Sequence, residues 1–374
     1  MQKIECSRCV MDTSDPYIEF DDAGVCNHCR QFDSLGWRPE GHDADLSAFI
    51  NRVKAKGAGH DYDCILGLSG GVDSSYLALK VKDWGLKPLV FHVDAGWNSE
   101  LAVQNIQKIV DYCDYDLFTH IVDWREMKDL QRSYLHSGIA NLDVPQDHAF
   151  FATQYKYAKK NKISTVISGG NLATESVFPL GWHNSALDAI SIKDIQKKHG
   201  SCKLTHYQFL SFLEYYFIYP FIHGFRIERP LNYINYNKAD AEAYLVKTIG
   251  YSTYGRKHGE SIFTKLFQNH ILPQRFGYDK RRPHLSSLVL SGQMTREAAV
   301  SELNKPLYDE KELKRDIEFF CQKLDLSVDE FSQIMDAPRR SYTDYRNWDL
   351  YLNSAKALQK LIARLTGRQM KFYS

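Results

Sequence analysis

Ser69-Gly70-Gly71-Val72-Asp73-Ser74-Ser75 follows the apolar run Asp63-Cys64-Ile65-Leu66-Gly67-Leu68 and precedes the helical stretch from Tyr76 to Trp84. A strand that ends in Ser-Gly-Gly and turns into a helix at Asp-Ser-Ser gathers unpaired backbone N–H groups at the positive end of a helix dipole, which makes an anion site. The paired glycines allow φ > 0 and remove the Cβ atoms that would keep a phosphate away, while Ser69, Ser74 and Ser75 add hydroxyl donors. The lysine of the pattern G-x-x-x-x-G-K-[ST] is missing, so transfer of a γ-phosphoryl group is the less favoured chemistry.

A second constellation is made of sulfur. Four of the eight cysteines form two C-x-x-C pairs, Cys6/Cys9 and Cys26/Cys29, with a turn at Asp21-Asp22-Ala23-Gly24 that can fold one knuckle back onto the other. In a reducing compartment this spacing suits a tetrahedral zinc thiolate better than disulfides. Protein fills all four positions, so the expected zinc is structural, and His28 inside the second knuckle is read as a surface residue. Cys64, within the first strand, reads as core.

The elements that position these groups alternate. After a zinc ribbon and polar linker (1–45), strands at 62–68, 87–94, 117–122 and 163–168 interleave with helices at 73–85, 99–112, 125–137 and 148–161. The strands are short, β-branched and largely apolar, as parallel strands covered on both faces must be. The pattern predicts an α/β fold with a doubly wound parallel sheet over 46–235 and a mainly helical C-terminal region over 236–374. The aromatic segment 207–221 reads as a buried helix, 229–234 as a last strand, and 327–335 and 348–366 as helices.

Ligands of such sheets bind beyond the carboxyl ends of the strands. The loops there hold Asp94 after the second strand and Gly169-Gly170-Asn171 with Glu175 after the fourth. Asp73, Asp94 and Glu175 could hold Mg²⁺ against the phosphates of ATP or accept from ribose hydroxyls, and the glycines permit close backbone approach. A later stretch, Tyr254 to Lys265 and on to Arg281 and His284, clusters basic and polar groups suited to an anionic ligand.

The chain has 374 residues with 47 basic and 46 acidic side chains, so no global positive field draws a polyanion, and nucleic acid is not an expected partner. The longest apolar stretch, 209–222, contains Glu214 and Pro220 and is too short to cross a bilayer, and no signal-peptide pattern opens the chain. The expectation is a cytoplasmic protein without a membrane partner.

The string S-G-G-x-D-S-S resembles the pyrophosphate loop of the N-type (PP-loop) ATP pyrophosphatases, an adenine-nucleotide α-hydrolase-like fold. Cys6-Ser7-Arg8-Cys9-Val10-Met11-Asp12-Thr13, His92-Val93-Asp94-Ala95-Gly96-Trp97-Asn98, Lys257-His258-x-Glu260-Ser261 and Phe276-Gly277-Tyr278-Asp279-Lys280-Arg281 extend that likeness. Together they make the chain similar to the N-acetyl sugar amidotransferases of bacterial surface-polysaccharide biosynthesis (lipopolysaccharide O-antigen and nonulosonic acids). The resemblance implies ATP-dependent conversion of an acetamido group to an acetamidino group through an adenylated imidate. It implies Asp73, Lys257, His258 and Glu260 in catalysis. It also implies nucleotide binding by Ser69 to Gly71, Asp73 to Ser75, Asp94, Gly169, Gly170, Asn171, Glu175, Lys265 and Arg281. ATP, Mg²⁺ and structural Zn²⁺ would be the cofactors, and a nucleotide-linked or acidic N-acetyl sugar the substrate. No glutaminase nucleophile elbow is present, so ammonia would come from a separate glutaminase with a cyclase-like channel subunit. The alternative is a tRNA thiolase, which shares loop and knuckles. Against it stand the balanced charge and the lack of a C-x-x-C near the loops to carry sulfur.

Overall fold

The structure, a computed structural model, describes residues 3–38, 40–254, 260–355 and 357. A cysteine ribbon ends in α1 (Asn27–Ser34), and α2 (Asp43–Gly57) leads into the alternating part of the chain. There follow β1 (Cys64–Gly67), α3 (Val72–Asp83), β2 (Pro88–Asp94), α4 (Glu100–Cys113), β3 (Leu117–Ile121), α5 (Trp124–Ser137), α6 (Val144–Lys160) and β4 (Thr165–Ile167). Next come α7 (Leu172–Glu175), α8 (Ala189–His199), a π-helical segment Glu214–Ile222 and β5 (Arg226–Glu228). The rest is helical: α9 (Lys238–Ile249), α10 (Ile262–Leu266), a second π-helical segment Phe267–Phe276, α11 (Arg281–Leu290), α12 (Arg296–Leu303), α13 (Glu310–Lys323) and α14 (Val328–Asp336).

The five strands form one sheet in the order β3-β2-β1-β4-β5, and every pairing is parallel. Because side chains alternate across a strand, β1 feeds two cores. Cys64 and Leu66 pack with Leu77, Ala78 and Val81 of α3, Ile106 and Ile109 of α4, and Ala241 and Leu245 of α9. Ile65 packs on the other face with Ala152, Tyr155 and Ala158 of α6. The chain winds outward from β1 to β3 and then returns to β4 on the other side of β1, so the loops after β1 and β4 diverge at a switch point. This is the doubly wound α/β fold that the alternation predicts, with a cysteine ribbon before it and helices after it.

Two local readings are corrected. Residues 229–234 are not a strand: β5 is Arg226–Glu228, and Pro230–Tyr233 is a 3₁₀ turn with proline in its first turn, where a missing N–H costs nothing. The aromatic segment is helical only from Phe212, and within its π-helical part Glu214–Ile222 Tyr219 alone is buried.

Candidate active site

The ribbon is built around sulfur. Cys6, Cys9, Cys26 and Cys29 are fully buried and unpaired by disulfides, and their sulfur atoms all lie within 4.8 Å of one another. Adjacent Sγ atoms are 3.6–3.7 Å apart. Zinc with four thiolates at about 2.3 Å requires tetrahedral S···S edges of about 3.8 Å, so the donor set and its spacing fit Zn²⁺. The Asp21 carbonyl accepts from Gly24 N–H at 2.9 Å and closes the turn between the knuckles. His28 is no ligand; its Nε2 meets Asp15 at 2.7 Å, and both residues are buried.

The loop after β1 is held from several sides. Gly70 has φ = +83°, and a Cβ there would lie 2.9 Å from the Ala102 carbonyl oxygen of α4. Ser69 Oγ and Ser74 Oγ are 3.1 Å apart, and Gly71 N–H donates to Ser69 Oγ. The phenols of Tyr251 and Tyr254 both donate to the Gly70 carbonyl, at 2.8 and 2.9 Å. Burial raises both phenols, Tyr254 to about 12, so both remain donors at neutral pH. Pulling that carbonyl away leaves the first-turn amides of α3, which have no intrahelical acceptors, facing the mouth of the loop.

Asp73 stands in that first turn, and its carboxylate accepts from the Tyr236 hydroxyl. The loop after β4 closes against it: a Cβ on Gly169 would come 2.8 Å from Ser74 N. Asn171 caps α7 through Thr174 N–H and donates to the Gly169 carbonyl at 3.1 Å, so it shapes this loop. At the neighbouring Gly170, the Glu175 carboxylate and Arg229 Nε lie 3.7 and 3.6 Å from where a Cβ would stand. Asp94 ends β2 and accepts from Gly96 N–H at 2.7 Å.

The late stretch reaches the loop as well. Asn98 and Ser261 form an antiparallel bridge, and Ser99 N–H donates to the Glu260 carbonyl at 2.8 Å. Glu260 Oε1 lies 3.6 Å from the Cβ position of Gly71. His92 ties the strands beneath: its Nδ1 meets the Leu68 carbonyl at 2.8 Å and its Nε2 meets Asn98 Nδ2 at 2.9 Å. Burial lowers the His92 pKa, and in the neutral ring Nδ1–H donates to Leu68 while Nε2 accepts from Asn98.

Ser69, Gly70, Gly71, Asp73 and Ser74 thus meet Gly169, Gly170, Glu175 and Glu260 around one cleft. Three sequence-level assignments are corrected. Ser75 is fully buried behind the loop, away from an arriving phosphate. Lys265 is paired with Glu312 at 3.1 Å and Asp316 at 2.5 Å, so its charge is spent on α13. Arg281 is bound to Asp279 and to the carbonyls of Glu302, Leu303 and Lys305, where it closes the end of α12. Lys257 and His258 lie outside the described residues. Nothing in the local pattern marked Tyr236, Tyr251 or Arg229, and Tyr254 and His92 stand in stretches the sequence singles out but without these roles, because the roles arise from contacts distant in sequence.

A second set of polar groups lies on and around α6, at the same end of the sheet as the loop. α6 precedes β4 and so runs back along the sheet, placing its first turns past the carboxyl ends of the strands. Gln154 Nε2 comes 3.2 Å from the Cβ position of Gly67, and Asp147 and Asp143 lie further toward the amino end of the helix. Asp143 accepts from Thr264 at 3.2 Å and from Gln268 at 3.4 Å, both downstream of Glu260. Burial and the neighbouring Asp143 push the Asp147 carboxyl well up, with Lys280 acting in the opposite direction. The Lys280 ammonium lies 2.9 Å from His183 Nε2.

The all-parallel sheet, with a glycine-rich loop at its switch point, defines a doubly wound α/β class of fold. Residues 260–360 match the family described as "LPS biosynthesis protein WbpG-like, C-terminal domain". Among solved structures the chain is similar to NMN synthetase from Francisella tularensis, at 14% identity and a TM-score of 0.28, covering 59% of this chain and 97% of that one. It is also similar to the NH₃-dependent NAD synthetase of Campylobacter jejuni, at 14% identity and a TM-score of 0.30, covering 71% and 97%. At these scores the likeness adds nothing to what the sheet order establishes. No curated protein matches the chain. No described helix is long and apolar enough to cross a membrane.

Proposed function

We propose that this protein is an ATP-dependent, AMP-forming amidotransferase of surface-polysaccharide biosynthesis, which converts the acetamido group of a sugar into an acetamidino group. The observation that carries the reading is a convergence: Glu260, where the WbpG-like match begins, stands against Gly71 of the anion loop.

An amide carbonyl is a poor electrophile, so its oxygen first attacks the α-phosphorus of ATP and pyrophosphate departs. The first-turn amides of α3, with Ser69 and Ser74, take the charge growing on that leaving group, and Arg229 supplies a cation beside the loop after β4. Asp73 and Glu175, with Asp94 after β2, are the carboxylates that would hold Mg²⁺, which when bound would neutralise phosphate charge. The polar set of Asp143, Asp147 and Lys280 receives the sugar and orients its acetamido group toward the loop, which converts the encounter into an intramolecular reaction. The carbon of the O-adenylyl imidate then accepts ammonia, AMP leaves with the original oxygen, and a proton passes to Glu260 or to solvent. Ammonia comes from a separate glutaminase through a cyclase-like subunit. The ribbon holds structural Zn²⁺ and stays outside the chemistry.

Purified protein incubated with ATP, ammonium and a panel of acetamido sugars should release AMP and pyrophosphate and yield a product about one mass unit lighter, as O is replaced by NH. Asp73→Ala should abolish AMP release while zinc content stays unchanged. Release of ADP and orthophosphate, or stimulation by tRNA in place of sugar, would overturn the reading.

A further inference from the structure

Exposed apolar side chains gather along the π-helical segment and around Leu350. Leu213, Phe221 and Ile222 are 63%, 67% and 72% exposed, and Leu350 and Tyr351 are 74% and 53% exposed. Phe212 joins the two groups, with its ring 5.5 Å from Trp348 and 5.8 Å from Tyr351. Contiguous exposed apolar surface of this kind marks an interaction site.

Its rim is cationic. Lys56 donates to the Gly224 carbonyl at 3.3 Å, just past the end of the π-helical segment, and Arg226 is exposed two residues later. Burial chiefly lowers the Lys56 pKa, with Arg226 and Arg52 acting in the same direction and Glu228 against them. Lys159 and Lys193 are exposed, and Lys156 is half-buried and feels both Lys193 and Glu214. Glu228 is paired with Arg52, and the carboxylates of Glu214 and Asp349, which accept from Ser211 and Tyr342, are outnumbered by Lys56, Lys156, Lys159, Lys193 and Arg226. An aromatic and aliphatic ridge inside a ring of lysine and arginine complements the interface of an anionic bilayer, where acyl boundary lies beneath negative headgroups.

We propose that the face formed by Leu213, Phe221, Ile222, Leu350 and Tyr351 seats the protein peripherally on an anionic lipid bilayer, with Lys56, Lys159 and Arg226 against the headgroups. Nine residues of helix are far too short to span the roughly 30 Å hydrocarbon core, so the segment lies in the interface plane. The segment runs alongside α6, from Leu210 on His148 near the start of that helix, past Tyr215 and Tyr219 on Tyr155, to Gly224 just before β5 begins, so the face flanks the edge of the sheet and Lys56 and Arg226 lie at its amino end. The anion loop follows β1, and β4 stands between β1 and the edge strand β5 that the face flanks. The lack of a spanning helix among the described residues does not decide the membrane question, and the proposal departs from the expectation of no membrane partner.

Co-sedimentation of the full chain with vesicles tests it. Vesicles of phosphatidylethanolamine and phosphatidylglycerol should bind the protein, pure phosphatidylcholine vesicles should bind it at least about tenfold less, and added NaCl should weaken binding. The double variant Phe221→Ser/Ile222→Ser should lose about tenfold or more in partitioning, while its near-ultraviolet circular dichroism stays that of the parent. Lys159→Glu/Arg226→Glu should lose a similar factor at low salt and little at high salt. Absence of vesicle binding, equal binding to both lipids, or unaltered binding by both variants would overturn the proposal. So would a dimer of the parent that Phe221→Ser/Ile222→Ser converts to monomer, since the face would then join two copies of this chain.

Discussion

Tyr254 donates its phenol to the carbonyl oxygen of Gly70 at 2.9 Å, across 184 residues of sequence. The contact is shared with Tyr251, and Asn105 of α4 fixes Tyr254 in turn by donating to its hydroxyl at 3.2 Å. The anion loop is therefore shaped by the segment that follows α9, not by its own glycines alone.

Removing that support weakens nucleotide binding without unfolding the protein. Each phenol contributes a neutral hydrogen bond of about 1 kcal/mol, so Tyr251→Phe and Tyr254→Phe should each raise the KM for ATP about fivefold. The double variant should raise it more than tenfold, because the Gly70 carbonyl would be free to turn into the mouth of the loop. Initial rates of AMP release against ATP concentration check this. An unchanged KM in the double variant would show that the loop holds its own shape.

The ribbon makes a separate prediction, because its links to the helical region are ionic and specific. Arg282 binds Glu5 at 2.9 Å and the Val10 carbonyl at 2.6 Å, and Arg296 binds Glu5 at 2.6 Å and the carbonyls of Cys6 and Cys9. α11 in turn touches α7, through His284 on the Thr174 carbonyl at 3.1 Å and Ser291 on that of Ala173 at 2.8 Å. The protein should carry about one zinc per chain by elemental analysis. Cys26→Ser should lose it, lower the Tm by several degrees and reduce activity through the loosened position of Glu175. Arg296→Ala should retain zinc and show a smaller drop in Tm.

Lys265 separates a structural cation from a ligand-binding one. It is mostly buried between Glu312 and Asp316, and replacing it leaves two carboxylates uncompensated. Lys265→Met should therefore cost stability by about 3 kcal/mol, visible as a lower urea midpoint, while the KM for ATP of the folded fraction stays within about twofold. A large rise in KM with unchanged stability would return Lys265 to the nucleotide site.

Much of this was legible from local pattern. The two C-x-x-C pairs, the turn at Asp21 to Gly24 and the strand-loop-helix around Ser69 to Ser75 are short-range signals, each decided by residues adjacent in the chain. The alternation of α3 to β4 follows from apolar runs of strand length between amphipathic helices. What was not legible has a common cause. Tyr236 on Asp73, Tyr251 and Tyr254 on Gly70, and the commitment of Lys265 and Arg281 to internal pairs depend on tertiary contacts that leave no periodic trace. The segment 214–222 misled in a different way: its apolar composition predicts burial, yet only Tyr219 is buried, Phe221 and Ile222 are exposed and the rest are half-buried, because a helix at the sheet edge is covered on one side only, by α6 and Trp348.

Acid stability rests on buried histidines. His148 is fully buried, with Nδ1 2.9 Å from the Ala186 carbonyl and Nε2 accepting from Leu210 N–H at 3.1 Å, an arrangement that only the neutral ring can make. Burial lowers its pKa to about 4 from an ordinary 6.5, and burial also lowers His92 and His183. A group depressed in the folded state leaves the unfolded chain holding more protons between the two values, so stability is complete above pH 6.5 and falls as pH drops toward 4. For His148 alone the loss by pH 4 is about 3 kcal/mol. Further loss follows at lower pH. Burial would raise the Glu126 pKa, but hydrogen bonds from Thr205, His206 and Tyr207 hold it at about 2, and those bonds fail as pH falls from 4.5 toward 2. Urea midpoints measured at steps across this range should stay level above pH 6.5, decline to about pH 4 and then drop again. His148→Gln should start from a lower midpoint and show a shallower decline between pH 6.5 and 4, with the lower step unchanged, whereas a parent midpoint level from pH 7 to 4.5 would show that the buried rings are reached by solvent.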